Sequence, residues 1–397
     1  MFIINKRLFS NIQTRSTRSF VTNVPNSRID VLKLSATKTS TPKPQTPKAN
    51  LVFGATTSDH MLEIDWDEKK GWHSPVISPY HPLSLDPACN VFHYGIEAFE
   101  GTKCYKDASG NLRLFRPELN MKRLAHSMVT LSLPVLDQEG FLACIKRLVE
   151  MEKNWVPEGE GFSLYLRPTV IGTQPTLGVT KSKNCKLFTI ACPVGPYYPE
   201  GFKPVKLLAE SQFVRAFHGG TGDSKLGGNY APTIRVQASA AQQGYSQVLW
   251  LYGPRKLVTE VGTMNFFCFW VNKKGEKELI TAPLDGTILP GVTRQSMLDL
   301  ARKWGEFKVT ETEFSIFDVI DAIKEGRVIE CFGGGTAAVV SPIRQFSFEG
   351  KQYDIPLHPT DKNAGAGVLT KRYWDTLADI QYGRNDHGFP TWSQIVS

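Results

Sequence analysis

A single lysine lies between two pairs of glycines in the segment Gly219–Tyr230, which reads GGTGDSKLGGNY. Glycine adopts backbone conformations and allows close approaches that other residues do not. A lysine held at such a bend becomes a nucleophile when burial or neighbouring groups suppress its charge. The segment therefore makes Lys225 a candidate nucleophile. The alternative interpretation is a glycine-rich turn that carries a solvated lysine.

The same segment superficially resembles a nucleotide phosphate loop, in which a glycine and four further residues precede Gly-Lys-Ser/Thr. Here Ser224 precedes Lys225 and Leu226 follows it, so the pattern fails on both sides of the lysine. The phosphate-loop interpretation is therefore rejected.

Two other segments have the features of anion sites. Leu289–Arg294 leads into a predicted helix, with Thr293 as its expected N-cap, and free amides at a helix start attract phosphate. Gly333–Gly335 precede Thr336 after a predicted strand, and successive glycine amides can surround an anion. Each segment alone is compatible with an ordinary cap or turn. Together with the lysine they predict a phosphorylated carbonyl cofactor, pyridoxal phosphate.

Such a cofactor needs a carboxylate that keeps its ring nitrogen protonated. Glu260 enters the apolar run Val261–Val271, where a buried acid is costly without a cationic partner. The ring nitrogen would be that partner. The alternative, which this residue taken alone slightly favours, is a surface glutamate at a strand edge.

No metal site is predicted. The seven cysteines are odd in number and contain no Cys-x-x-Cys pair, and the eight histidines show no paired ligand spacing. Cys268 and Cys331 lie in apolar strand-like runs and are expected to be buried thiols.

The chain has 397 residues, enough for two domains. Of its 46 Lys and Arg residues, nine lie in residues 1–50, which hold one of the 38 acids, so the remainder carries 37 of each sign. A nucleic-acid-binding protein would keep a basic patch on its folded domain, so no nucleic-acid partner is expected. No apolar run approaches the length of a membrane span, so no membrane association is expected either.

Residues 1–22 contain no acid, spaced arginines and interrupted apolar residues, a composition typical of an organelle-import peptide. The proline-containing stretch 37–50 is predicted to be a disordered spacer. Residues 1–50 are therefore expected to be a mitochondrial targeting leader and spacer, for a protein of the mitochondrial matrix. A merely disordered basic tail is the alternative.

Strands and helices mix without regular alternation, which favours an α+β or mixed α/β fold in two domains. Helical spacing predicts helices within 121–131, 141–155, 294–304, 315–324 and 369–380, and strands at 164–171, 187–192, 248–252, 266–271 and 328–332. Dense proline and glycine near residue 200 predict an interdomain connection. The expected units are a small N-terminal domain, 51–196, a loop, 197–204, and a larger C-terminal domain, 205–397.

With these features the chain resembles the branched-chain amino acid aminotransferases, which belong to fold type IV of the pyridoxal phosphate enzymes. The resemblance covers about residues 51–385. The motifs that carry it are Phe92–Gly95, Phe99–Gly101, Leu114–Pro117, Leu164–Pro168, Gly219–Tyr230, Thr259–Asn265, Leu289–Arg294 and Gly333–Ala337.

The resemblance implies a reversible transamination of L-leucine, L-isoleucine and L-valine with 2-oxoglutarate, through an aldimine of Lys225 with pyridoxal phosphate. Lys225 would also move the substrate proton, and Glu260 would pair with the ring nitrogen. The implied cofactor contacts are Arg116, Arg215, Lys225, Tyr230, Glu260, Leu289, Val292, Thr293 and Thr336. The implied substrate contacts are Phe53, Tyr94, Phe99, Tyr165, Arg167, Thr263 and Ala337. The resemblance also implies a homodimer that acts on small amino acids and 2-oxo acids.

Three alternatives remain open. A D-amino acid aminotransferase or an aminodeoxychorismate lyase would use the same fold and lysine, and a binding protein with a basic leader would carry no cofactor.

Some mammalian relatives have a redox Cys-x-x-Cys after the Gly-Thr-Ala motif, where this chain has Ala338 and Ser341, so no thiol switch is expected there. The stretch 358–367 has no assigned role.

Overall fold

The computed structural model describes residues 28–196, 202–361 and 363–396. Its helices are α1 Asn90–Tyr94, α2 Pro117–Thr130, α3 Gln138–Met151, α4 Thr233–Gln242, α5 Val292–Trp304, α6 Ile316–Lys324 and α7 Val368–Gln381. Its strands are β1 Ser35–Ala36, β2 His60–Asp67, β3 Gly71–Trp72, β4 Val76–Pro79, β5 Glu97–Phe99, β6 Thr102–Lys106, β7 Leu112–Phe115, β8 Ser163–Gly172, β9 Asn184–Val194, β10 Val205–Glu210, β11 Gln247–Tyr252, β12 Leu257–Val261, β13 Met264–Val271, β14 Lys277–Thr281, β15 Lys308–Glu311, β16 Val328–Gly335, β17 Val339–Phe348, β18 Lys351–Asp354 and β19 Ser393–Ile395.

The first sheet has the strand order β1-β4-β2-β9-β8-β6-β7-β19, with β3 beside β2 and β5 beside β8. Helices α2 and α3 pack on it through apolar residues at helical spacing, including Leu124, Met128, Ile145 and Leu148. The second sheet has the order β12-β11-β10-β17-β16-β13-β14-β15, with β18 beside β17. Helix α6 buries its apolar face in one hydrophobic cluster against this sheet, and helices α5 and α7 bury theirs in a second cluster.

All five predicted helices are confirmed as α2, α3, α5, α6 and α7, and the five predicted strands as β8, β9, β11, β13 and β16. The local chemistry explains the start of α6, where Ser315 and Asp318 form a capping box. Helices α1 and α4 were not predicted. Helix α4 buries only Val236 and Ala240, so few of its residues mark a side that faces the core.

The predicted spacer is corrected by the structure over 37–50. Thr39 N donates to His60 Nε2 at 2.8 Å, and Lys43 N donates to Asp59 Oδ1 at 2.9 Å. Just before it, Ile29 is buried and its amide donates to Asp137. The chain from residue 28 to residue 50 therefore packs on the first sheet and its helices, whereas the predicted import peptide, residues 1–22, lies outside the described residues.

The expected C-terminal domain, 205–397, is also corrected at its end. Strand β19 pairs antiparallel with β7, so the end of the chain returns to the first sheet. Arg116, which follows β7, donates its amide to the carbonyl of Trp392 at 2.7 Å. The C-terminal segment thus joins the two domains beside Arg116. Most of the predicted interdomain loop, residues 197–201, lies outside the described residues.

No helix in the described part of the chain is both long and apolar enough to cross a membrane.

Candidate active site

Lys225 lies in the glycine-flanked loop, beside strand β5 of the first sheet. Its amide donates to Ser127 Oγ at 2.8 Å, and its carbonyl accepts from Phe99 N at 3.0 Å. The Lys225 Nζ donates to the Tyr230 hydroxyl at 3.0 Å. Burial, assisted by the Arg123 guanidinium, lowers the pKa of Lys225 to about 8. The solvated-lysine interpretation is therefore wrong, because the amine is held in place by Tyr230 and its pKa is lowered by burial.

Aromatic rings surround the amine. Lys225 Nζ lies 4.7 Å from the ring centre of Phe99 and 5.0 Å from that of Tyr230. Phe53 stands edge-on to Tyr165 with ring centres 4.8 Å apart. These apolar faces form a wall suited to an aliphatic side chain.

Arg167 is the cation of this wall. Its Nη2 donates to the Tyr165 hydroxyl at 3.1 Å, and its guanidinium lies 4.9 Å from the centre of the Phe99 ring. Its Nε is buried and has no hydrogen-bond partner among the residues that the structure describes. A donor of this kind suits a carboxylate on a substrate side chain.

Glu260 is buried, with 3% of its surface exposed, so the surface-glutamate interpretation is wrong. Strands β12 and β13 pair Glu260 with Asn265, whose amide donates to Glu260 Oε1 at 3.3 Å. Leu289 N donates to the same oxygen at 2.7 Å, and Arg215 Nε lies 2.6 Å from Oε2. Burial raises the pKa of Glu260, although Arg215 opposes the rise. The predicted residues Arg215, Glu260 and Leu289 are thus brought together.

A candidate anion site lies at the start of α5. The expected N-cap Thr293 is corrected: Gly291 is the cap residue and has no side-chain cap, so Val292 and Thr293 are the first two residues of the helix. Arg116 reaches this helix, where its Nη1 donates to Ser296 Oγ at 3.0 Å. The Nε of Arg116 is buried, with no partner in the described part of the chain. The uncapped amides and this orphaned donor fit an anion.

The glycine triplet is corrected as well, because Gly333–Gly335 end strand β16 instead of forming a loop after it. Gly334 pairs with Asn265. A Cβ on Gly334 would lie 3.7 Å from Thr293 Cγ2, which places the strand beside the start of α5. The turn that follows the strand is Thr336–Ala338.

That turn has an unusual backbone. Val339, which pairs with Gly335 across the hairpin, has φ +59°. This left-handed conformation is disfavoured for a β-branched residue and costs about 1–3 kcal/mol, so it persists only where its surroundings enforce it. The carbonyl of Ala337 accepts a hydrogen bond from Lys103 Nζ at 2.8 Å.

Two predicted substrate residues stand apart from this group. Tyr94 is 39% exposed, and its hydroxyl donates to the carbonyl of Leu177 on a surface loop. Thr263 lies exposed in the turn between β12 and β13. Within the described residues of one chain, neither makes a hydrogen bond or a ring contact with Lys225.

Sequence reasoning missed a buried polar group below the lysine. Arg123 Nε lies 2.6 Å from Glu100 Oε1, and Asn120 Nδ2 donates to Glu100 Oε2 at 2.9 Å. Burial opposes ionisation of Glu100, but Arg123 outweighs it and lowers the pKa. Arg123 also donates to the carbonyl of Pro290 at 3.2 Å and so ties α2 to the loop before α5. In the sequence, only the Phe-Glu-Gly motif, which contains Glu100, pointed to this group. The sequence of α2 does not show that the Arg123 side chain faces the interior.

The described residues include one group with the atom types and spacing of a metal site, His218, Asp285 and Glu313, whose ligand atoms lie within 4.8 Å. All three side chains are exposed, as is common for surface groups without an ion.

A family model described as amino-transferase class IV matches residues 97–346. The chain belongs to the class IV aminotransferases. A branched-chain-amino-acid aminotransferase of Dictyostelium discoideum is 54% identical over 370 residues, 93% of this chain and 96% of its own. A mitochondrial one of Rattus norvegicus is 50% identical over 357 residues, 90% of this chain and 89% of its own. A cytosolic one of Saccharomyces cerevisiae is 47% identical over 373 residues, 93% and 98% of the two chains.

Solved structures share the fold. The branched-chain amino acid aminotransferase of Thermobaculum terrenum in its PLP form has a TM-score of 0.65 at 21% identity, over 84% of this chain and 98% of its own. The Escherichia coli enzyme has a TM-score of 0.63 at 21% identity, over 84% and 99% of the two chains. The two-domain α+β prediction of fold type IV is therefore confirmed.

Proposed function

We propose that this class IV aminotransferase carries out reversible transamination of L-leucine, L-isoleucine and L-valine with 2-oxoglutarate. The observation that carries the proposal is Lys225, whose Nζ donates to Tyr230 at 3.0 Å beside the Phe99 ring. Two relatives that are 54% and 50% identical to this chain, over 93% and 90% of its length, are named branched-chain-amino-acid aminotransferases. An aliphatic wall beside a nucleophilic amine is what such substrates require.

The residues present fit pyridoxal phosphate. The orphaned Arg116 Nε and the uncapped start of α5 suit its phosphate, and the buried Glu260 suits its ring nitrogen. Leu289 would lie against the ring, Arg215 and Tyr230 beside it, and Thr336 at the phosphate. When bound, the cofactor supplies an electron sink for the charge that develops at the substrate Cα.

The chain's own groups perform the remaining work. Lys225 Nζ would hold the cofactor carbonyl when the cofactor is bound, and it would move the proton to and from the substrate Cα. Its lowered pKa makes the neutral, proton-accepting form accessible near neutral pH. The Tyr230 hydroxyl accepts a hydrogen bond from Nζ and so holds it in position. Burial raises the pKa of Tyr230 to about 12, so the phenol stays protonated near neutral pH.

The same wall must accept both aliphatic and acidic side chains. Phe53, Phe99 and Tyr165 present ring surface to leucine, isoleucine or valine. Arg167 Nε, which is buried and has no partner among the described residues, would donate to the distal carboxylate of glutamate or 2-oxoglutarate. With an aliphatic substrate, the guanidinium keeps the rings of Phe99 and Tyr165 as partners, which lowers the cost of its burial.

Further parts of the proposal concern assembly and location. Within one chain, Tyr94 does not reach the pocket beside Lys225. In a homodimer, Tyr94 of the partner subunit would reach it. The acid-free, arginine-containing segment 1–22 would direct the protein to the mitochondrial matrix. A fluorescent fusion of residues 1–27 should enter mitochondria, and a cytosolic fusion would contradict this location.

The enzyme should show the absorbance of a bound aldehyde cofactor and should convert leucine, isoleucine and valine with 2-oxoglutarate. D-alanine with 2-oxoglutarate tests the D-amino acid aminotransferase, and aminodeoxychorismate tests the lyase. Preference for either of these, or a protein without cofactor absorbance, would overturn the proposal.

A further inference from the structure

Glu97 is an acid of strand β5 that the proposed chemistry has not used. Its side chain is half-buried, and burial raises the pKa of its carboxyl, although the charge of Arg167 opposes the rise. Among the residues that the structure describes, none donates a hydrogen bond to this carboxylate. The other acids near Lys225, Glu100 and Glu260, are each held by several donors. A half-buried carboxylate without a partner is costly, which favours a functional reason for its place.

The first sheet places Glu97 on the same face as the aromatic wall. Side chains alternate along a strand, so Glu97 and Phe99 of β5 project to one face. Phe99 pairs with Thr169 on β8, two residues from Arg167, so Arg167 projects from this face as well. The Arg167 guanidinium lies 4.9 Å from the centre of the Phe99 ring, and Lys225 Nζ lies 4.7 Å from the same centre. An acid and a cation therefore share the face that adjoins the reacting amine.

The acid and the cation do not pair with each other. Arg167 Nε is buried and has no partner in the described part of the chain, and the carboxylate of Glu97 accepts no hydrogen bond there. The loop after Lys225 lies against this carboxylate, since a Cβ on Gly227 would be 2.5 Å from Glu97 Oε2. Two opposite charges thus lie close enough to influence each other, beside the lysine and without direct contact.

We propose that Glu97 is a specificity-determining residue of the side-chain pocket: it balances the Arg167 charge when the bound side chain is aliphatic, and it competes with the distal carboxylate when the bound side chain is acidic. This inference rests on the proposed function. With leucine in the pocket, a nearby negative charge lowers the cost of leaving the guanidinium without a partner. With glutamate, the same charge repels the incoming carboxylate. Glu97 therefore shifts the preference of the pocket toward aliphatic side chains.

The test compares two unreactive acids that differ at the distal end, with the cofactor-loaded enzyme. Glutarate has a distal carboxylate, and 4-methylpentanoate has a branched aliphatic end. The Kd of each is measured by the change in cofactor absorbance. The half-reactions of leucine and of glutamate are followed separately, so that binding is distinguished from the maximal rate.

Glu97→Gln keeps the size of the side chain and removes its charge. We expect the Kd for glutarate to fall and the Kd for 4-methylpentanoate to rise, so that their ratio changes by about tenfold, which corresponds to about 1.4 kcal/mol. The maximal rates of both half-reactions should stay close to the wild-type values, because Glu97 touches no reacting atom. Glu97→Asp, which keeps the charge, should retain most of the wild-type preference.

Two further variants control the comparison. Glu139→Gln, on the exposed start of α3, should behave as the wild type. In an Arg167→Met background, Glu97→Gln should no longer shift the ratio toward glutarate, because the charge that Glu97 balances is absent. A merely structural role of Glu97 would weaken both acids alike and would not depend on Arg167.

An unchanged ratio of the two Kd values, a parallel rise of both, or the same shift without Arg167 would overturn the role of Glu97. If Glu97→Gln does not retain the cofactor, Glu97→Met carries the same comparison, and a ratio equal to that of the wild type would then overturn it. Failure of the proposed function is distinguishable, because it appears as absent transamination of leucine with 2-oxoglutarate in the wild type.

Discussion

Arg215 Nε and Glu260 Oε2 lie 2.6 Å apart, and both side chains are almost fully buried. Arg215 also donates to the carbonyls of Thr287 and Gly222, which fixes the guanidinium against the loop before α5. The other carboxylate oxygen of Glu260 accepts from Leu289 N. Glu260 is thus held at one angle, as an acceptor for a ring nitrogen requires.

Glu260→Gln should lower turnover about a hundredfold, since losing roughly 3 kcal/mol of transition-state stabilisation has that effect. The cofactor affinity should fall much less, because the phosphate contacts remain. Steady-state kinetics and a cofactor titration measure the two effects. Glu139→Gln, on the exposed start of α3, serves as the control. Unchanged turnover at saturating amino donor would remove Glu260 from this role.

Lys225 should react with the aldehyde cofactor in a pH-dependent way. Only the neutral amine is nucleophilic, and burial lowers its pKa from 10.5 to about 8. The rate at which cofactor-free enzyme takes up pyridoxal phosphate should therefore rise with pH and level off above about 8. Stopped-flow absorbance between about pH 6 and 10 gives the profile, after correction for the cofactor's own ionisation. A midpoint near 10.5, the ordinary value, would show that the amine is not perturbed, and Lys225→Ala should form no covalent adduct.

Gly101→Ala should damage the side-chain pocket. A Cβ at this position would lie 1.8 Å from the Tyr165 hydroxyl, so the ring must move away from Phe53 and Arg167. We expect the KM for leucine and for glutamate to rise at least tenfold. Gly228→Ala is the matched control, because no heavy atom lies within 4 Å of its Cβ. Equal behaviour of the two variants would mean that Tyr165 has no part in substrate binding.

Mild peroxide should leave the activity largely intact. The seven cysteines are all buried, and burial raises the pKa of Cys104 and of Cys144 to about 12, so little reactive thiolate forms. Cys268 and Cys331, predicted as buried thiols, are confirmed as such. Activity is measured before and after oxidation, with Ala338→Cys/Ser341→Cys as a sensitised comparison. Rapid loss in the wild type that a reductant reverses would contradict this expectation.

The sequence predicted the long periodic helices and strands and made Lys225 a candidate nucleophile, because helical periodicity and glycine spacing are local properties. It did not predict Arg123 or Lys103, since each acts on a residue distant in the chain: Pro290 and Ala337. The cap of α5 was misplaced because Thr293 has the side chain of a cap residue, whereas the extended backbone that precedes the helix belongs to Gly291. The buried carboxylate of Glu260 is paired with the guanidinium of Arg215, and no local sequence pattern shows that these two residues meet.

The last prediction concerns the N-terminal segment. The described contacts of residues 28–50 replace the expectation that residues 1–50 are only a leader and a spacer. Residues 28–50 hold the chain that leads to Phe53: Ile29 is buried, and Lys43 Nζ donates to Thr57 and Ser58. Removing residues 1–27 should leave kinetics and stability unchanged. Removing residues 1–50 should lower the free energy of unfolding by at least about 2 kcal/mol, mainly through the lost burial of Ile29.

The same removal should weaken leucine binding, because Phe53 loses the segment that places it against Tyr165. Urea denaturation and the KM for leucine are measured for both shortened proteins. Ile29→Ala in the full chain separates the two effects: it should reproduce part of the lost stability while the contacts of Lys43 keep Phe53 in place and the KM near the wild-type value. A protein without residues 1–50 that matched the wild type in both measurements would return the whole segment to the role of a spacer.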